Sequence, residues 1–189
     1  MAELLRNKEA VAHGLSVMAT RMLFEELPSI LEYIIGGRQA TIILERMAEE
    51  AAEEGFREFM RMLGFTRDIR MPLEKLITIF LAPPSNQPKT HPFQVVKAVR
   101  VVGGRRIVLE VEEGHKHPSE LGILAGTIAG VLTAAGYRAK PLSSPETKRH
   151  ICSANNEPPQ YLVYPVRGDD GKWKIIIEEV NCARQADAA

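Results

Sequence analysis

Apolar residues recur at three- and four-residue intervals from the N-terminus to about Ala82, and at two-residue intervals through much of the remainder. The first spacing lines one face of an α-helix and the second lines one face of a β-strand. From Glu9 to Leu27, Val11, Leu15, Met18, Met22 and Leu23 fall on one helical stripe. Pro28 starts a fresh turn carrying Ile30, Leu31, Ile34 and Ile35, which Gly36-Gly37 ends. The longest predicted helix runs from Arg38 to Leu63. Ile42, Ile43, Met47, Ala51, Gly55, Phe59 and Met62 form its apolar face, and Glu45, Glu49, Glu50, Glu53, Glu54 and Arg57 crowd the other side. Gly64 follows, where a helix end favours a residue tolerant of positive φ. Pro72 opens a third helix, Leu73 to Leu81, closed by Pro83-Pro84.

The pattern changes after the proline-rich loop from Ala82 to Pro92. Phe93 to Val102 and Arg105 to Glu113 flank Gly103-Gly104, a hairpin signal. Ile107, Leu109 and Val111 alternate with Arg106, Val108 and Glu110, so one strand face is buried. A helix follows the turn at His115 to Pro118, then a strand between Tyr137 and Leu142. Gln160 to Arg167 and Lys172 to Val180 make a second hairpin around GDDG. This order predicts an α+β fold in one domain spanning residues 1–189, with N-terminal helices packed on a small antiparallel sheet. Its helical half covers about 1–82 and its hairpin–helix–hairpin half about 93–182.

The helix between the hairpins is the most informative segment. In LGILAGTIAGVLTAAG, Leu121 to Gly136, the glycines Gly122, Gly126 and Gly130 stand one turn apart. Each interior glycine weakens a helix by ~1 kcal/mol relative to alanine. Three in register require a compensating close approach by a sheet backbone, another helix or an apolar ligand.

Composition adds exclusions. Lys plus Arg equal Asp plus Glu at 24 each, which argues against nucleic acid as a partner. Arg100, Arg105 and Arg106 form the nearest approach to a basic cluster and read as a solvated hairpin end. No apolar run reaches the ~20 residues of a membrane span. The N-terminus mixes charges with its apolar residues, unlike a signal peptide, and two cysteines, Cys152 and Cys182, make no disulfide framework. These features predict a cytoplasmic protein.

Candidate chemistry is sparse. His115, His117, His150 and Cys152 are two alternating pairs whose imidazoles and thiolate would suit tetrahedral zinc. The same residues equally suit a loop before a helix, an exposed histidine and a small buried thiol. Glu110, Glu112 and Glu113 end a strand beside His115, and the acidic face from Glu45 to Glu58 reads as wetted surface. Neither glycine pair has phosphate-loop or dinucleotide spacing, and no catalytic signature is present. An apolar ligand would meet Leu76, Phe80, Gly122, Gly126, Gly130, Tyr161 and Trp173, although any ordinary core holds residues of this kind.

HPSELGILAGTIAGVLTAAGY after a hairpin, HICSANNEPPQYLVYPV leading into a strand, and the helical AAEEGFREFMRMLGF together resemble the 4-vinyl-reductase, or hydrocarbon-binding, domain family and its structural relatives among the TRAPP trafficking subunits. The resemblance spans about Gly14 to Val180. It implies a mixed α/β domain that dimerises through its long helices and binds a hydrocarbon-like molecule, without enzymatic activity. The family's second cysteine is replaced here by the neighbourhood of Tyr161 and Leu162, so only Cys152 carries over. Two other classes stand beside this expectation: a zinc-dependent enzyme or metal-stabilised protein built on the His/Cys set, and a scaffolding subunit with a filled core.

Overall fold

A computed structural model of the chain describes residues 18, 22, 26–65, 72–80, 96–103, 105–111, 118–143 and 159–180. Helix α1, Leu27–Ile35, carries Pro28 in its first turn, where a missing N–H leaves no partner wanting. A single residue, Gly36, separates it from α2, Gly37–Met62. Helix α2 ends as its glycine predicts. The N–H of Gly64, at φ 83°, donates to Arg61 O, and the N–H of Phe65 donates to Met60 O, which satisfies two of the carbonyls a helix end leaves open. Helix α3 spans Leu73–Phe80.

Strands β1, Val96–Val102, and β2, Arg106–Val111, form the first hairpin. Helix α4, Pro118–Ala134, follows and closes through Gly136 with the same pair of terminal bonds as α2. Strand β3, Ala139–Pro141, is short, and β4, Tyr161–Arg167, and β5, Trp173–Glu179, make the second hairpin. Its turn is held by Gly168 N donating to Lys172 O and by Asp170 Oδ1 accepting from the N–H of Lys172.

The α+β class is as expected from the sequence. The five strands form one sheet in the order β1-β2-β5-β4-β3. One detail departs from the expected all-antiparallel sheet, because β3 pairs parallel to β4 with Ala139 opposite Tyr161. The chain between Pro141 and Tyr161 is long enough for the crossover that a parallel pair needs.

Helix α4 lies against β3 and β4 on one side and α2 on the other. Every described side chain from Ser119 to Gly130 is buried, which explains why this helix is apolar all round. Leu121, Leu124, Ile128 and Leu132 join Phe56 and Met60 of α2, Leu76 and Ile77 of α3, and Ile107, Leu109, Val163, Ile175 and Ile177 of the sheet in the main core. Burial of those four α4 side chains contributes roughly 6–12 kcal/mol, which outweighs the ~3 kcal/mol that three interior glycines remove. The other sheet face gathers a second cluster of Leu142, Leu162, Tyr164 and Ile176.

Candidate functional site

The glycine stripe of α4 meets a helix. A Cβ at Gly122 would stand 2.9 Å from Thr41 Cγ2 and 3.1 Å from Thr41 O. At Gly126 it would collide with the carbonyl oxygen of Glu45, with Ala48 Cβ at 3.1 Å. At Gly130 it would collide with the carbonyl oxygen of Glu49 and approach Ala52 Cβ at 2.9 Å. Thr41, Glu45 and Glu49 advance one turn at a time as the glycines do, so α2 and α4 run in the same direction. The space before all three glycines is therefore filled by α2 backbone, with Ala48 and Ala52 as the small residues opposite.

This docking reverses the expected orientation of α2. Ile42, Ile43, Met47, Ala51, Gly55, Phe59 and Met62, the face expected in the core, are all exposed. Ala40, Thr41, Leu44, Glu45, Glu49, Phe56 and Met60 are buried instead. The cause is steric. Backbone-to-backbone contact with a glycine stripe needs threonine and alanine opposite, and isoleucine or methionine would hold the helices apart. The acidic face likewise divides: Glu50, Glu54 and Glu58 are solvated as expected, whereas Glu45 and Glu49 are only 5% and 4% exposed.

The two buried carboxylates are treated differently. Lys140 Nζ from β3 donates to Glu49 Oε1 at 2.7 Å, and Arg46 donates to Glu49 Oε2 at 3.1 Å, so both oxygens are engaged. Glu45 Oε2 has no hydrogen-bond partner among the described residues. Burial pushes the Glu45 carboxyl up to about 7. Arg46 opposes that shift and Glu49 adds to it. At the start of α4, Ser119 donates a hydrogen bond to Glu32 of α1.

Beyond the seam, α1 and α2 turn large apolar side chains outward. Tyr33 is 91% exposed, with Ile30, Ile34, Ile42, Ile43 and Met47 around or beyond it on the same two helices.

The other sequence-predicted positions scatter. Leu76 is fully buried in the main core. Phe80 ends α3, and its side chain lies outside the described residues. Tyr161 pairs edge-on with Tyr137, ring centroids 5.7 Å apart. Burial, then Glu179 and Tyr137, raises the pKa of the Tyr161 phenol above its usual value. Trp173 sits opposite Arg167, at the far end of the β4–β5 ladder from Tyr161. Six residues of strand put the two aromatic positions ~20 Å apart, too far to share one small pocket.

His115, His117, His150 and Cys152 lie outside the described residues, as do Cys182 and the loop from Ala82 to Pro92. Among the described residues no group of three or more His, Cys, Asp or Glu is placed to hold a metal ion. No described helix is long and apolar enough to cross a membrane. In the arginine group at the first hairpin, Arg100 pairs with Glu110 at 2.6 Å and Arg106 with Glu178 at 3.1 Å. Tyr164 also donates to Glu178, at 2.5 Å.

The fold and this seam define the class as an α+β domain built on a parallel, glycine-tight helix pair. No family model, curated protein or solved structure matches the chain.

Proposed function

We propose that this chain is an assembly module, and that the outward face of α1 and α2 pairs with a second copy of itself. The observation that carries the reading is the reversal of α2, which exposes Ile43 and Met47 one turn apart while sealing its other side against α4. A twofold contact sets the same patch on itself. Antiparallel pairing of α2, centred between Ile43 and Met47, would lay the apolar first half of one helix on that of the other. Charges on the outer face are mixed, with Glu50, Glu54 and Glu58 among Arg46, Arg57 and Arg61. A balance of this kind suits a copy of itself better than an anionic membrane or a strongly charged partner.

Light scattering after size exclusion tests the reading. Wild-type protein at tens of micromolar is expected at twice the chain mass, and Met47→Glu at the mass of one chain with unchanged secondary structure. A wild-type protein that stays monomeric throughout that range removes the proposal.

A second reading, binding of an apolar small molecule, draws support from Tyr137 and Tyr161. Both rings are half-buried against the main core, with a phenolic hydroxyl on each. That arrangement offers an apolar surface with a polar handle. Native mass spectrometry of protein from its source checks it: a co-purifying hydrophobic mass, lost in Tyr161→Ala, is expected, and bare chains would exclude it.

A further inference from the structure

The α2–α4 seam contains a carboxyl group that is only partly balanced, by the charge of Arg46. Glu45 is 5% exposed, its Oε2 has no hydrogen-bond partner among the described residues, and its own backbone carbonyl is the atom wedged against Gly126. Its neighbour Glu49 is equally buried yet held by Lys140 and Arg46. One turn of α2 thus carries one anchored acid and one that is not.

The charged groups around Glu45 are few. On its own helix they are Arg46 and Glu49. From β3, Lys140 reaches the neighbourhood through its bond to Glu49. From α4, the stripe facing it contributes only Gly122 and Gly126, with the buried Glu120 preceding them. From α1, Glu32 is engaged by Ser119. Lys140 and Arg46 are therefore the nearby cations, and both are bonded to Glu49.

We propose that the α2–α4 seam is a proton-responsive joint: neutral Glu45 lets α2 close on the glycine stripe, and ionised Glu45 drives the two helices apart. A carboxylate with an unpaired oxygen is poorly tolerated away from water, whereas a carboxylic acid is tolerated far better. The group changes charge near neutral pH, because burial raises its pKa to about 7 against Arg46. The seating of α2, and with it the seating of the apolar outer face, then follows pH through this one side chain.

Hydrogen exchange on the full chain, corrected for the intrinsic effect of pH, tests the joint at pH 6 and pH 8. Protection of amides in α2 and α4 is expected to fall about tenfold across that interval, the linkage value for a shift from 4.5 to about 7. Amides of β2 and β5 should remain better protected than those of the seam at both pH values. Glu45→Gln should show no fall between the two pH values and should protect the seam better than wild type at both. Glu49→Gln should loosen the seam and still retain the tenfold pH dependence. Three outcomes overturn the proposal: a Glu45→Gln protein that keeps the wild-type pH dependence, a wild-type seam indifferent to pH, or seam amides that exchange no faster than those of β2 and β5 at pH 8.

Discussion

Glycine carries two opposite meanings within this one helix pair, and substitution separates them. Gly126 and Gly130 have backbone atoms of α2 where a Cβ would be, whereas a Cβ at Gly55, exposed on α2, would meet nothing within 4 Å. Alanine at Gly126 or Gly130 gains ~1 kcal/mol of helix propensity and loses more by prising the helices apart, since overpacking costs ~1–3 kcal/mol or more. A net loss of ~1–2 kcal/mol is expected for each. Gly55→Ala has no such penalty and should raise stability by ~0.5–1 kcal/mol. Urea unfolding of the three variants checks the sign at each site. A stabilised Gly126→Ala protein would mean that the seam is open. Glu45 adds the pH dependence at the same scale. Its native pKa, about 7, is raised above the ordinary 4.5, so the native state binds its proton more tightly than the unfolded state does. Stability from this group is present in full below about 4.5 and declines as pH rises through about 7. Glu45→Gln should therefore be the more stable protein at pH 8, by up to ~3 kcal/mol, with little difference below pH 5.

At the scale of elements, boundaries were legible and faces were not. The ends of α1, α2 and α3, the two hairpins and the strand after α4 fall within a few residues of where glycine, proline and period-two alternation put them. Those signals are local, and the chemistry that stops a helix at Gly64 acts whatever the rest of the chain does. The glycine stripe was legible in the same way, as a demand for a close neighbour. Which neighbour it was depended on α2, and hydrophobicity pointed to the wrong side of that helix. Seven positions, from Ile42 to Met62, looked like a core face because apolar stripes usually are. The deciding variable was side-chain bulk at Thr41, Ala48 and Ala52, which a hydrophobic pattern does not register. Nor does period alone reveal that Lys140, far along the chain in β3, would come to neutralise a buried Glu49. The parallel β3–β4 pair was hidden for a related reason, since strand direction depends on how a long connection returns.

At the scale of the whole molecule, two surfaces of α2 divide the work of folding and association. The inner surface is sealed within one chain, because α4 touches it along three successive turns. The outer surface takes no part in that seal, so replacing its apolar residues should leave the fold intact while altering what the molecule pairs with. A dimer held by this face gains stability from mass action, because association draws the folded population forward. The melting temperature of wild-type protein should then rise with concentration, by a few degrees between about 2 and 200 μM for a micromolar dissociation constant. Tyr33→Glu and Met47→Glu should abolish that rise and melt at the wild-type value extrapolated to low concentration, since Tyr33 and Met47 are 91% and 54% exposed and contribute little to the core. Differential scanning calorimetry across the dilution series reads both effects together. If either charged variant melts well below that limit, the side chain is buried within its own chain, and the outer face of α2 belongs to the fold and not to a partner.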